Sequence, residues 1–208
     1  MIDALLLLFK PGATWERISS AQRGFLRILF TYLLPAMILS SFVEGFGLVH
    51  WGKWQGEVPH PKHWKAAEMV VFEAGQLLAL LLIIVVNGAV VKSVCETFQP
   101  RHTFLQAFTV ISYGLFPFFL ARMLNAFSEI TPWVSWLVGI LLSIAMLYHG
   151  VPRVMLPDPA HAFGVFMTTS LLLLLSTGLL EFLVAFFLQG KLIKLERLVS
   201  KIASGLPF

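Results

Sequence analysis

The chain has 208 residues, of which 58% are apolar and only 12% charged, with a mean hydropathy of +0.83. Soluble domains hold about 45–50% apolar and about 25% charged residues, so a water-exposed fold, intrinsic disorder and a disulfide scaffold are excluded and the solvent is lipid. The formal charge of +4 comes from the two ends, Lys10, Arg17, Arg23 and Arg27 against Asp3 and Glu16, and Lys191, Lys194, Arg197 and Lys201 against Glu196.

In chain order, the apolar run at residues 2–9 comes first. Eight residues reach about 12 Å at 1.5 Å each, far short of a hydrocarbon core about 30 Å thick. Asp3 stands where a signal sequence has basic residues, and no small-residue cleavage site precedes Lys10-Pro11. Residues 1–24 are therefore expected to form an uncleaved interfacial segment.

Five stretches are long and apolar enough to cross, at 25–45, 69–94, 104–124, 133–151 and 163–188. Short connectors make neighbours antiparallel, and no internal repeat divides the chain. The predicted fold is all-α: a polytopic integral membrane protein, a bundle of five transmembrane helices in one domain over 1–208, with interfacial amino- and carboxyl-terminal segments. Trp51, Trp54 and Trp64 flank the second span and Trp133 and Trp136 open the fourth, placing indoles at headgroup level. Pro35 and Pro117 lie inside spans and should kink them, since each removes a backbone donor.

Polar and small residues recur at helical intervals within the spans: Glu73, Gln76 and Asn87; Gln106, Thr109 and Tyr113; Ser135, Gly139 and Ser143; Ser170, Thr177 and Glu181. Such stripes define the inward faces of a compact bundle. A carboxylate at membrane depth costs about 2.5–3.5 kcal/mol unless paired, protonated or wetted. The simpler reading of Glu181 and the shallower Glu73 is a carboxyl hydrogen-bonded between helices. The sharper reading is a proton- or cation-handling site with Asn87 or Arg122 as partner.

The longest connector carries His50, Glu57, His60 and His63. Two of its imidazoles could share a metal, but Pro59 and Pro61 surround His60 and no known ligand spacing is matched, so a solvated loop is the better reading. His149, Arg153, Asp158 and His161 gather before the last span. They form no hydrolase or phosphate-binding motif, and Pro152, Pro157 and Pro159 suggest a stiff turn. Cys95 is the single cysteine, read as a packing residue.

At 100° per residue, Leu192, Leu195, Leu198, Val199 and Ile202 share one face of a tail helix and Lys194, Arg197 and Lys201 the other. Residues 189–208 read as a basic amphipathic segment lying in the interface, with Lys191, Lys194, Arg197 and Lys201 against anionic headgroups. Nucleic acid is disfavoured, because no aromatic-interleaved basic surface accompanies the charges. Orientation is nearly balanced. With the amino end inside, its four bases join Lys92, Arg101 and Arg153, against Lys53, Lys62, Lys65, Arg122 and the basic tail outside. The four bases leading the first span favour the amino end inside.

Three phrases carry a family likeness. Phe9-Lys10-Pro11-Gly12-Ala13-Thr14-Trp15-Glu16-Arg17-Ile18 resembles the proline-plus-aromatic opening of prokaryotic members of the Yip-one (Ypt/Rab-interacting protein) domain family. Tyr113-Gly114-Leu115-Phe116-Pro117 resembles that family's third-span segment, and Tyr148-His149-Gly150 with Ala160-His161-Ala162-Phe163 resembles the junction before its last span. The resemblance implies a five-span protein with a cytosolic amino end. Eukaryotic relatives associate with Rab-type GTPases and with one another in vesicle traffic. The short stretch before the first span departs from those relatives and favours a bacterial-type, inner-membrane member. No catalytic residue comes with the likeness. The expected function is a non-catalytic membrane protein, with no cofactor or metal, that organises the bilayer, copies of itself or other membrane proteins. The alternative is a small transporter or channel with a polar site around Glu181 and Asn87. A lipid-modifying enzyme at the His149–His161 connector is the weakest reading.

Overall fold

A computed structural model describes residues 2–54, 61–98 and 102–205. The described residues are 83% helical and hold no strand; among them an antiparallel bridge joins Lys53 to Lys62. Five helical segments are long and apolar enough to cross a membrane: Phe25–His50, Ala66–Thr97, Phe104–Ala126, Pro132–Val154 and Pro159–Leu188. Against the predicted stretches, the first and fifth gain a full turn or more at one end, the second three residues at each end, the fourth one and three, and the third two.

The first span is assembled from α3 (Phe25–Ile28), a π turn (Leu29–Leu33) and α4 (Leu34–His50). Pro35 sits in the first turn of α4, where its missing N–H does least harm, and the wider i→i+5 turn ahead of it absorbs the misfit. The second span is the uninterrupted α5 (Ala66–Phe98). In the third span, α6 (Phe104–Gly114) ends at Leu115, with φ −80° and ψ 4°. Phe116 and Pro117 then start α7 (Phe116–Arg122), followed by a 3-10 turn at Met123–Ala126. The break expected at Pro117 is therefore real, displaced two residues towards the amino end. Gln106, expected on the inward stripe, instead closes a capping box with Thr103, satisfying orphan donors at the start of α6.

The fourth and fifth spans are α8 (Pro132–Val154) and α9 (Pro159–Leu188). The third span occupies the centre: 78% of its most apolar stretch is buried, against 33–44% for the others. It packs on spans one, two and four, and α9 closes the ring between α5 and α8. Large apolar side chains such as Leu137, Leu141, Leu171, Leu175 and Leu179 are left exposed around the outside, as lipid contact requires and water would penalise. The Ser135–Gly139–Ser143 ladder is consumed within the bundle. A Cβ on Gly139 would stand 3.0 Å from the Cα of Phe118 and the Cβ of Ala121, so glycine sets the α7–α8 approach.

The amino-terminal helices α1 (Ile2–Phe9) and α2 (Pro11–Ser20) fold back onto this bundle, burying Ala4, Leu7, Trp15 and Ile18. Asp3 is buried too, held by Arg17 and by Arg23 Nη2 at 2.5 Å. Arg23 Nη1 also donates to the Tyr113 hydroxyl at 2.8 Å. The three phrases that carry the family likeness converge here. Trp15 meets the Tyr113 ring edge-on at 6.4 Å, and its indole lies where a Cβ of Gly150 would come within 2.6 Å. Only glycine at 150 leaves room for that ring.

At the opposite end, α10 (Ile193–Ala203) returns to pack on α5 and α9. The apolar face read from the sequence is divided in two. Val199 and Ala203 are buried against the bundle while Leu195, Leu198 and Ile202 stay exposed beside them. Lys194, Arg197 and Lys201 are exposed, and Glu196 pairs with Lys62. Not every tryptophan is an interfacial anchor. Trp51, Trp54 and Trp133 are exposed, but Trp64 is buried beside Leu48, Met69 and Phe187, and Trp136 Nε1 donates to Thr177 Oγ1 at 3.2 Å.

Candidate functional site

One buried charged cluster lies where spans one, two, three and five meet, below the connector that carries Lys53. Its hub is Arg122, 6% exposed, at the end of α7. Arg122 Nε donates to Glu44 Oε2 at 2.6 Å, and Nη2 donates to Glu73 Oε2 at 2.6 Å and to Gln76 Oε1. Glu44 is fully buried and its other oxygen accepts from Asn125 Nδ2 at 3.1 Å. Glu44 lies six residues from the end of α4 and Glu73 and Glu181 each seven from an end of their helices. At 1.5 Å per residue the three carboxylates therefore share one level, about 9–10 Å inside the span ends.

Lys53 approaches from the connector. Its ammonium donates to the backbone carbonyls of Asn125 at 2.9 Å and Phe127 at 3.0 Å. Burial lowers its pKa to about 8, although the carboxylates of Glu44 and Glu181 oppose the shift. Glu181, 8% exposed, stands within electrostatic reach of Glu44, Arg122 and Lys53, yet its Oε1 completes no hydrogen bond. The set thus joins three acidic groups to two basic ones. Arg122 is a suitable hub because its planar fork can address several acceptors at once and holds its charge when buried.

Of the residues singled out from sequence, Glu73, Glu181 and Arg122 are brought together and Asn87 is not. Asn87 Nδ2 donates to Ser176 Oγ at 2.8 Å, and Ser176 is five residues, about 7.5 Å of helix, from Glu181. Asn87 and Glu181 therefore stand at different levels of the bundle, Asn87 facing Ser176 and Glu181 the charged cluster. Glu44, Asn125 and Lys53 were missed. Glu44 follows Ser40 and Ser41 at helical spacing, all three buried. The stripe lies inside the predicted 25–45 stretch, but with that stretch ending at 45 Glu44 stands next to its apparent end, whereas α4 continues to His50. Lys53 and Arg122, counted outside as connector charges, are interior residues, 4% and 6% exposed.

The two described histidines of the long connector each face a backbone carbonyl. His50 Nδ1 lies 3.0 Å from the Phe46 carbonyl and His63 Nδ1 3.1 Å from that of Val49; Glu57 and His60 lie outside the described residues. No group of three His, Cys, Asp or Glu among the described residues could hold a metal ion. Near the last connector, His149, Arg153 and Tyr148 line a cleft of about 470 Å³. Arg153 is already engaged there, donating to the His149 carbonyl at 3.0 Å and facing Glu16 at 3.7 Å. The interfacial bases Lys191, Lys194, Arg197 and Lys201 are all exposed.

The fold and this interior define a class: a multi-pass, all-helical membrane protein whose buried charges lock helices together. A family model described as the Yip1 domain matches residues 5–180, and the chain belongs to that family. No curated protein and no solved structure matches it. The matched region runs from within α1 through α2 and nearly all of the five spans, and ends before α10.

Proposed function

We propose that this protein is a non-catalytic organiser of the membrane, gathering anionic lipid through α10 and membrane partners, or copies of itself, through its lipid-facing spans. The observation that carries this reading is the three-way division of α10. Val199 and Ala203 fasten it to the bundle, while Leu195, Leu198 and Ile202 are left free beside exposed Lys194, Arg197 and Lys201. A helix fixed in this way holds its bases at headgroup level. We place the protein in a bacterial inner membrane with the amino end inside. Removing Lys53 and Arg122 from the outer count, since both are interior, tips the basic balance of the connectors that way. The test is reconstitution into vesicles of mixed zwitterionic and anionic phospholipid. Spin-labelled anionic lipid should be enriched around the parent protein and lose that enrichment when Lys194, Arg197 and Lys201 are changed to Gln. Equal enrichment by both would overturn the reading.

A second reading, a small transporter, draws support from Glu181, whose buried Oε1 has no hydrogen-bond partner in a set with more acidic than basic groups. It requires Glu181→Gln to abolish proton- or cation-coupled flux in proteoliposomes; unchanged flux removes it.

A further inference from the structure

Between α4 and α5, beside the charged cluster, a groove of about 380 Å³ runs from His50 and Ala66 at the span ends down to Ile38 and Leu77. Leu77 is eleven residues into α5, so the groove is about 16 Å long at 1.5 Å per residue. Its lining is apolar, including Phe42, Val49 and Met69, apart from His50 at the mouth and two deep side chains, Ser41 and Glu73. The Ser41 hydroxyl lies against the Glu73 carboxylate, both side chains are more than nine-tenths buried, and neither Ser41 Oγ nor Glu73 Oε1 has a well-formed hydrogen bond to any other group. A hydroxyl and a carboxylate oxygen with no partner but each other are under-satisfied at membrane depth, and here both border the same apolar channel.

We propose that this groove is a binding site for a neutral lipid alcohol, a molecule with one free hydroxyl on a long alkyl body that enters sideways from the bilayer. The chemistry of the polar pair selects the head. A hydroxyl donates one hydrogen bond and accepts another, so it can insert between the pair, giving its proton to Glu73 Oε1 while accepting from Ser41 Oγ. Glu73 Oε2 already faces Arg122 at 2.6 Å, which leaves a neutral donor sufficient. Depth excludes a phospholipid head: Glu73 lies seven residues, about 10 Å, inside the start of α5, where a phosphate would be stripped of water. A volume of about 380 Å³ lies within the range of small-molecule sites, about 300–1,000 Å³.

The test uses the full chain in nanodiscs of zwitterionic phospholipid, with a sixteen-carbon primary alcohol bearing a mid-chain diazirine and its methyl ether as probes. Photolabelling followed by peptide mapping should place the alcohol on α4 and on the first three turns of α5. The ether, unable to donate, should label there about fivefold to tenfold less, the effect of one lost hydrogen bond. Ser41→Ala should lower labelling by the alcohol to a similar degree. Ala74→Phe, which fills the groove from an exposed position without touching the charged cluster, should abolish it. Equal labelling by alcohol and ether, labelling spread evenly over the outer faces of α8 and α9, or labelling untouched by Ala74→Phe would each overturn the proposal. Should Ser41→Ala fail to fold, the ether comparison and Ala74→Phe decide.

Discussion

Arg122→Leu is the sharpest perturbation of the interior. The guanidinium holds Glu44 and Glu73, each at 2.6 Å, and also Gln76. Removing it leaves two carboxyls, fully buried and 8% exposed, without the charge that offset their desolvation. Breaking such a pair costs about 3–5 kcal/mol, a large part of the roughly 5–15 kcal/mol that holds a domain folded. Replacing the whole triad, with Glu44→Leu, Glu73→Leu and Arg122→Met together, removes the charges and their desolvation cost at once. That triple variant should therefore recover to within about 1 kcal/mol of the parent. The assay is equilibrium unfolding of the purified protein in mixed micelles against rising dodecyl sulfate, followed by tryptophan fluorescence. A single variant within about 1 kcal/mol of the parent, or a triple variant no better than the single, would refute the view that Arg122 serves to neutralise Glu44 and Glu73.

Three further outcomes are expected. Trp15→Ala empties a fully buried site against Tyr113 and Gly150 and should cost about 3–5 kcal/mol in the same assay; Gly150→Leu should destabilise as well, by overfilling that site. Changing Lys194, Arg197 and Lys201 to Gln should remove about 1 kcal/mol of headgroup attraction per charge, read as weaker retention of anionic lipid by native mass spectrometry. Lys53, with its pKa lowered to about 8 from 10.5 by burial, should titrate apart from the other lysines in an isotope-edited NMR titration of the amines. Because the folded value lies below the unfolded one, the unfolded state binds more protons between the two. The cost of its buried charge is thus fully present below about pH 8, and stability from this group rises with pH from there towards 10.5.

Much of the architecture was legible because lipid imposes a simple rule: backbone polar groups must be satisfied within each span, so apolar length reads directly as helix. The five spans follow from that rule, and α10 from its amphipathic periodicity. Their ends did not, since a helix may continue past its apolar stretch, as α4 does from residue 45 to His50. That difference put Glu44 one residue from the apparent end, where a carboxylate reads as interfacial, and so hid the pairing that gives Arg122 its place. Lys53 was illegible for another reason. A lysine in a polar connector looks solvated, and only the fold turns its ammonium inward to the Asn125 and Phe127 carbonyls. Asn87 shows the opposite error. It shares the helical stripe of Glu73 and Gln76, but periodicity gives a face and not a depth, and at its own level α9 offers Ser176 rather than Glu181. The phrases that pointed to the family were legible as motifs and not as contacts; the structure joins them at Trp15, Tyr113 and Gly150.

The organising role is tested most directly by photo-crosslinking in native membranes, with a photoreactive amino acid placed singly at Leu141, Leu175 and Leu198, all exposed. An organiser of partners gives the same discrete protein adduct, to a second copy of this chain or to another membrane protein, from at least one of these positions in repeated preparations. Adducts to lipid alone at all three positions would contradict that role.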